Sequence, residues 1–214
     1  MSFCDDLFQD LLQKNEELEE QINGFAFKAR AYCTKTKHEA RRAKSESVLD
    51  QILPSEIKDG ETWHVMSSGD VDSLSFAKHI IKNNKMDYVA FSTWCMALTD
   101  VKQLEEWILS GEIAWLDAYV GEIFPGTYAK ETEELKRVVS MTPGRLCVFR
   151  NHSKVFLMRS GDKCWVIQSS ANINTNPRTE NTCITADAGL FYHHKNYFDS
   201  IKSFSKDFAD WKPE

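Results

Sequence analysis

From Glu61 to Val139 the chain alternates short apolar runs with segments of helical period, and after Pro143-Gly144 it carries short apolar runs alone. That change of rhythm limits the possible folds more than any other feature, because strands and helices in alternation stack as layers around one sheet. Thr62 to Met66 reads as a strand. Ser67-Ser-Gly-Asp70 turns from it into a helix that runs through Ile81, with Leu74, Ala77, His79, Ile80 and Ile81 periodic. Tyr88 to Ser92 is a second strand, and Thr99-Asp100 caps a helix bearing Leu104, Trp107 and Ile108. Ile113 to Val120 is a third strand and Thr127 to Val139 a third helix. Beyond Pro143, Leu146 to Phe149, Lys154 to Met158 and Cys164 to Ile167 are short strands, the last two joined by the turn Arg159-Ser-Gly-Asp162-Lys163. Asn181 to Thr185 adds one more strand. Phe191 to Trp211 closes the chain as a helix, with Phe198, Ile201, Phe204, Phe208 and Trp211 three and four residues apart. The expectation is an α/β sandwich around a mixed, largely parallel sheet.

Two helical segments precede this body, and the reading assigns residues 1–53 to an N-terminal arm and 54–214 to the domain. Phe3, Leu7, Leu11, Leu18 and Ile22 share one face of a helix whose other faces are acidic. After Gly24 the charge reverses, with Lys28, Arg30, Lys35, Lys37, Arg41, Arg42 and Lys44 flanking a thin apolar stripe. Such a stripe docks on the main domain or on a second copy. Its basic flanks, Lys28, Lys35, Arg41 and Arg42 in particular, are candidate nucleic-acid contacts.

The whole chain has a net charge of −6, from 26 Lys and Arg against 32 Asp and Glu, which argues against coating a polyanion by bulk charge. Any polyanionic partner must meet a local basic patch. No apolar run reaches the roughly 18 residues needed to span a bilayer, and Met1-Ser-Phe-Cys-Asp-Asp does not resemble an export leader, so a cytoplasmic protein without a membrane partner is expected. The 6 cysteines form no C-x-x-C pair and several sit in apolar runs, which reads as buried free thiols.

The chemistry-bearing residues gather between positions 152 and 181. His152 and Lys154 are two apart on a strand-like run, so both project to one face. Lys154 supplies positive charge for a phosphate, and the His152 imidazole is available as nucleophile or proton carrier. Ser170 and Asn172 repeat that geometry after the next strand and can donate to phosphoryl oxygens. Glu180 can hold the second nitrogen of an imidazole and so fix its tautomer. No compact His/Asp/Glu cluster with metal-ligand spacing accompanies them, so no metal or other cofactor is expected.

H-x-K at His152-Ser-Lys154, a hairpin, S-S-x-N at Ser169 to Asn172, and Asn176-Pro-Arg-Thr-Glu180-Asn181 together resemble the HKD motif of the phospholipase D superfamily, above all its small single-motif, Nuc-like endonucleases. The resemblance covers about residues 61–208 and is sharpest over the thirty or so residues of the motif. It implies a phospholipase D-like α/β/α sandwich and a metal-independent phosphodiesterase, most plausibly a nuclease. By the same resemblance His152 attacks phosphorus to form a phosphohistidine. Lys154, Asn172, Ser170 and Ser169 hold phosphate oxygens, and Glu180 orients His152. A single motif further implies a homodimer, in which the second copy's histidine protonates the leaving oxygen. Two positions depart from the pattern: Arg159 stands where the family has an aspartate, with Asp162 the nearest carboxylate, and Ser169 replaces a glycine.

Two readings of other classes compete. One is a catalytically impaired relative that serves as a nucleic-acid- or phosphate-binding or assembly module, which Arg159 favours. The other is a phosphodiesterase for small nucleotides or a phosphotransferase. His193-His194-Lys195 imitates the motif but opens an amphipathic helix and is set aside as a decoy. His64 and His79 read as structural histidines. Ser67 to Ser73 reads as a helix cap that could also meet substrate.

Overall fold

The structure, a computed structural model, describes residues 44–68, 71–173 and 178–203, all within the compact unit Arg42–Glu214. The two arm helices as far as Ala43, with Lys28, Lys35, Arg41 and Arg42, lie outside the described residues. So do Asp70, Asn176, and Phe204, Phe208 and Trp211.

Seven strands form a single sheet: β1 (Thr62–Ser67), β2 (Tyr88–Thr93), β3 (Leu116–Gly121), β4 (Leu146–Phe149), β5 (Val155–Ser160), β6 (Lys163–Ser169) and β7 (Glu180–Ala186). Their spatial order is β1-β7-β6-β5-β2-β3-β4. The helices are α1 (Ser73–Ile81), α2 (Leu98–Leu109), the single turn α3 (Phe124–Thr127), α4 (Ala129–Val139) and α5 (Ala188–Asp199).

The expected largely parallel sheet is corrected. Only β2 with β3 and β3 with β4 pair in parallel, while β1 with β7, β7 with β6, β6 with β5 and β5 with β2 are antiparallel. The strand-helix repetition suggests one continuous parallel series, but its first strand, β1, pairs with neither β2 nor β3. The later strands β5, β6 and β7 enter as an antiparallel meander between β1 and β2, since tight turns can only join antiparallel neighbours. Gly161, at φ 56°, supplies the left-handed residue of the β5–β6 turn.

Both faces of the sheet are covered, and the two-residue period of each strand sorts its side chains between them. Val89, Phe91, Phe156, Met158 and Trp165 face one core with Leu74, Phe76 and Ile80 of α1, Leu104 and Trp107 of α2, and Leu135 and Val138 of α4. Tyr88, Ala90, Leu157 and Val166 face the other with Phe191 and Phe198 of α5. The three-layer sandwich follows from this division.

Local signals account for most helix ends, with small shifts. Asp72 caps α1 by accepting the Ser75 N–H at 2.9 Å. In α2 the helix begins at Leu98, and Asp100 reaches back to accept the Ala97 N–H at 3.2 Å. The third predicted helix is broken at Tyr128 into α3 and α4. The last helix stops at Asp199 rather than continuing through Trp211. Residues 200–203 run on to β4, where the Ser203 hydroxyl donates to Val148 O at 3.2 Å and accepts its N–H at 2.9 Å.

A helical stretch at residues 44–52 lies against α1. Leu49, Leu53 and Ile57 join the core, Glu46 pairs with Lys78 at 2.7 Å and Asp50 with Lys82 at 3.0 Å. His79 is buried, with Nε2 2.8 Å from Pro54 O, the structural role its sequence position suggested. Cys95, Cys147, Cys164 and Cys183 are free thiols.

Candidate active site at the strand ends

The chain directions bring one end of the sheet to a focus. There β2, β3, β4 and β6 end, and β5 and β7 begin, so the 150–154 loop, the Trp94-Cys95-Met96 loop and residues 170–173 meet. Ligands of α/β sheets bind at such carboxyl ends, where strand order reverses.

His152 and Lys154 are in the β4–β5 loop rather than on a strand, which starts at Val155. The loop is held by Asn151, 4% exposed. Its amide nitrogen donates to Ser92 Oγ at 2.9 Å, Thr93 O at 3.1 Å and Tyr119 O at 3.3 Å. Its oxygen accepts the Ser153 N–H at 2.9 Å. Buried amides so fully bonded fix a loop in one conformation. His152 is thereby presented to solvent. Lys154 Nζ lies 3.1 Å from His152 Nδ1 and donates to the His152 carbonyl at 2.7 Å. Partial burial pulls the Lys154 ammonium below the ordinary lysine range, against the opposing charges of Cys95 and Glu180.

The second half of the motif is stitched to the first. Ser169 donates its N–H to Lys154 O at 3.0 Å, and its hydroxyl sits 2.8 Å from Thr182 Oγ1 and accepts the Ala171 N–H at 3.1 Å. Ser169 therefore shapes the turn. The Ser170 hydroxyl donates to the Glu180 carboxylate and accepts the Asn181 N–H at 3.0 Å. Asn172 Oδ1 accepts the Trp94 N–H at 3.2 Å, which leaves its amide nitrogen as the end available to a ligand. The Trp94 ring stands 5.6 Å from the His152 ring. Gly121 makes room for it, since a Cβ there would come within 2.6 Å of Trp94 Cδ1.

The structure thus brings His152 against Lys154, Ser170 against Glu180, and Asn172 against the tryptophan that flanks His152. The Glu180 carboxylate accepts from Ser170, and Lys154 Nζ lies beside the His152 ring. Arg159 lies at the other end of β5, paired with Tyr88 and Cys164, about 17 Å along the strand from Lys154.

Sequence reading missed Asn151, gave Trp94 no role and set the histidines of α5 aside as a decoy of the motif. A cleft of 480 Å³ beside His152 is lined by Arg150 and Ser153 of the loop and by His193, His194 and Tyr197 of α5. The spacing of Phe191 and Phe198 could have signalled this, because His194 falls three residues after Phe191, on the flank of the buried face. Burial, then the neighbouring His193, lowers the pKa of His194. Among the described residues no group of three or more His, Cys, Asp or Glu side chains is placed to hold a metal ion, and no helix is long and apolar enough to cross a membrane.

No protein-family model matches the chain, and no curated protein does. Among solved structures 46 chains match. One is TrmBL2, an archaeal chromatin protein described as showing a novel mode of DNA binding, at 11% identity and TM-score 0.45, over 93% of this chain and 68% of that one. Another is the polyphosphate kinase of Porphyromonas gingivalis, at 13% identity and TM-score 0.49, over 72% of this chain and 26% of the kinase. A third is the phosphatidylserine synthase of Haemophilus influenzae Rd KW20, at 8% identity and TM-score 0.46, over 64% of this chain and 38% of the synthase.

Proposed function

We propose that this protein is a metal-independent phosphodiesterase of phospholipase D type, a cytoplasmic nuclease that works through His152 in a homodimer. The observation that carries the reading is the meeting of both motif halves at one sheet end, with Lys154 Nζ 3.1 Å from the imidazole and Ser170, Asn172 and Glu180 on the adjoining turn. A ring nitrogen of His152 attacks phosphorus, forming a P–N bond as the P–O bond to the leaving group breaks. The leaving oxygen takes its proton from His152 of the second copy. Water then attacks the phosphohistidine, the P–N bond breaks, and the same second histidine accepts the water's proton. Lys154 and the Asn172 amide balance charge on the phosphoryl oxygens as it grows.

A second reading, a phosphate-binding module without turnover, is favoured by Arg159 in place of the aspartate of the motif and by the net charge of −6. One experiment separates them: purified protein and its His152→Ala variant are incubated with single- and double-stranded DNA and RNA in excess EDTA. Cleavage in EDTA that falls by about 10³-fold or more in the variant, with acid-trapped phosphohistidine in the parent, supports the enzyme. Absence of turnover on every phosphodiester, with no phosphorylated His152, establishes the binding reading instead.

A further inference from the structure

The 480 Å³ cleft beside His152 is lined by one arginine and three histidines. Arg150 and His152 line it from the β4–β5 loop, Gln168 from β6, and His193, His194 and Tyr197 from α5, and no carboxylate lines it among the described residues. In a chain of net charge −6 that is a local reversal, of the kind an acidic protein needs to receive a polyanion. The carboxylate nearest on α5 is turned elsewhere: Asp199 pairs with Lys195 at 2.6 Å and stands 3.9 Å from the buried Arg145 guanidinium. Lys195 in turn lies over the Tyr88 ring at 4.8 Å. The two histidines meet edge to face, with ring centroids 5.6 Å apart, and His193 is exposed. Two imidazoles lining one cleft are, when protonated, donors suited to a phosphate.

We propose that His193 and His194 bind a phosphate neighbouring the scissile one on a single nucleic-acid strand, so that the cleft selects a chain of successive phosphates over an isolated diester. The proposal rests on the phosphodiesterase reading and narrows its substrate. His194, whose protonation is opposed by burial and by His193, takes up its proton when an anion arrives. Binding therefore weakens as pH rises and the protonated form of His194 is lost.

The test measures fluorescence anisotropy of a labelled ten-nucleotide single-stranded DNA on full-length His152→Ala protein, which does not cut, with and without His193→Gln/His194→Gln. The parent variant should bind about tenfold more tightly at pH 6 than at pH 8. The glutamine pair should bind at both pH values as the parent does at pH 8. A His193→Arg/His194→Arg pair keeps the charge and should bind at pH 8 as tightly as the histidines do at pH 6. Equal pH dependence in the parent and the glutamine pair overturns the proposal, as does binding of the arginine pair no tighter at pH 8 than that of the parent. Loss confined to anionic phospholipid vesicles, with oligonucleotide binding untouched, overturns the choice of a nucleic-acid strand. Because the assay requires no turnover, it can fail while wild-type cleavage in EDTA succeeds, and the reverse outcome removes only the enzymatic reading.

Discussion

Lys154 carries the positive charge nearest the proposed nucleophile, and its partial burial disfavours the ammonium form. A lysine with a lowered pKa is charged below that value and neutral above it. Turnover should therefore fall as pH rises through a point below the 10.5 of an ordinary lysine. Replacement by arginine, which stays protonated, should abolish that alkaline limb in the pH–rate profile even where it lowers the rate. Gly144 is a residue-scale constraint of another kind. A Cβ there would fall 1.8 Å from the Leu116 carbonyl oxygen, so Gly144→Ala must push β4's approach away from β3. The expected loss is about 3 kcal/mol, read from the denaturant midpoint. Glycine at 144 was visible in the sequence as a turn signal; its contact with a strand 28 residues away was not, because that pair is made only by sheet topology.

At the scale of elements, α5 matters most, since it covers one face of the sheet and lines the cleft beside His152. Its inner anchor is Arg145, 3% exposed, which donates to the Tyr119 hydroxyl, to Phe198 O at 2.6 Å and to Ile201 O at 3.4 Å. The guanidinium thus satisfies carbonyls at the helix C-terminus, where a positive charge also suits the helix dipole. Beneath it Asp117 accepts from Tyr88, Trp115 and the Arg145 N–H, and burial holds its carboxyl above the usual range. Arg145→Met should cost about 3 kcal/mol by stranding these acceptors, lowering Tm by roughly 6–12 °C in calorimetry. The apolar period that made α5 legible gave its buried residues, Phe191 and Phe198. It overran the helix end, because Ile201 lies close enough in sequence to continue the pattern, while the chain turns at Ser200 to bond β4 through Ser203.

For the whole molecule, an acidic chain that acts on nucleic acid through one local cleft should show a shallow salt dependence. About two phosphate contacts on a single strand give a slope of log K against log salt near −1.4, whereas engagement of Lys28, Lys35, Arg41 and Arg42 as well would roughly triple it. Titrating oligonucleotide binding between low and moderate salt distinguishes the two. If the second histidine comes from a second copy, specific activity should also fall on dilution below the dimer dissociation constant, which concentration-dependent assays with parallel sedimentation would register. The sequence by itself determined the layered α/β class, the position of each strand within a few residues, and the polar set of His152, Lys154, Ser170, Asn172 and Glu180. The class and the strands are written in local periodicity, and the polar set in its residue types and order, although His152 and Lys154 lie in a loop rather than on one strand face. Tertiary structure alone decided that β5 to β7 insert between β1 and β2, making most pairings antiparallel. It also decided that Asn151 staples the 150–154 loop, that Arg159 lies at the far end of β5 from Lys154, and that the histidines of α5 share a cleft with His152. Each of these is a contact between segments distant in sequence, chosen by burial of both sheet faces at once, and no local pattern records that choice.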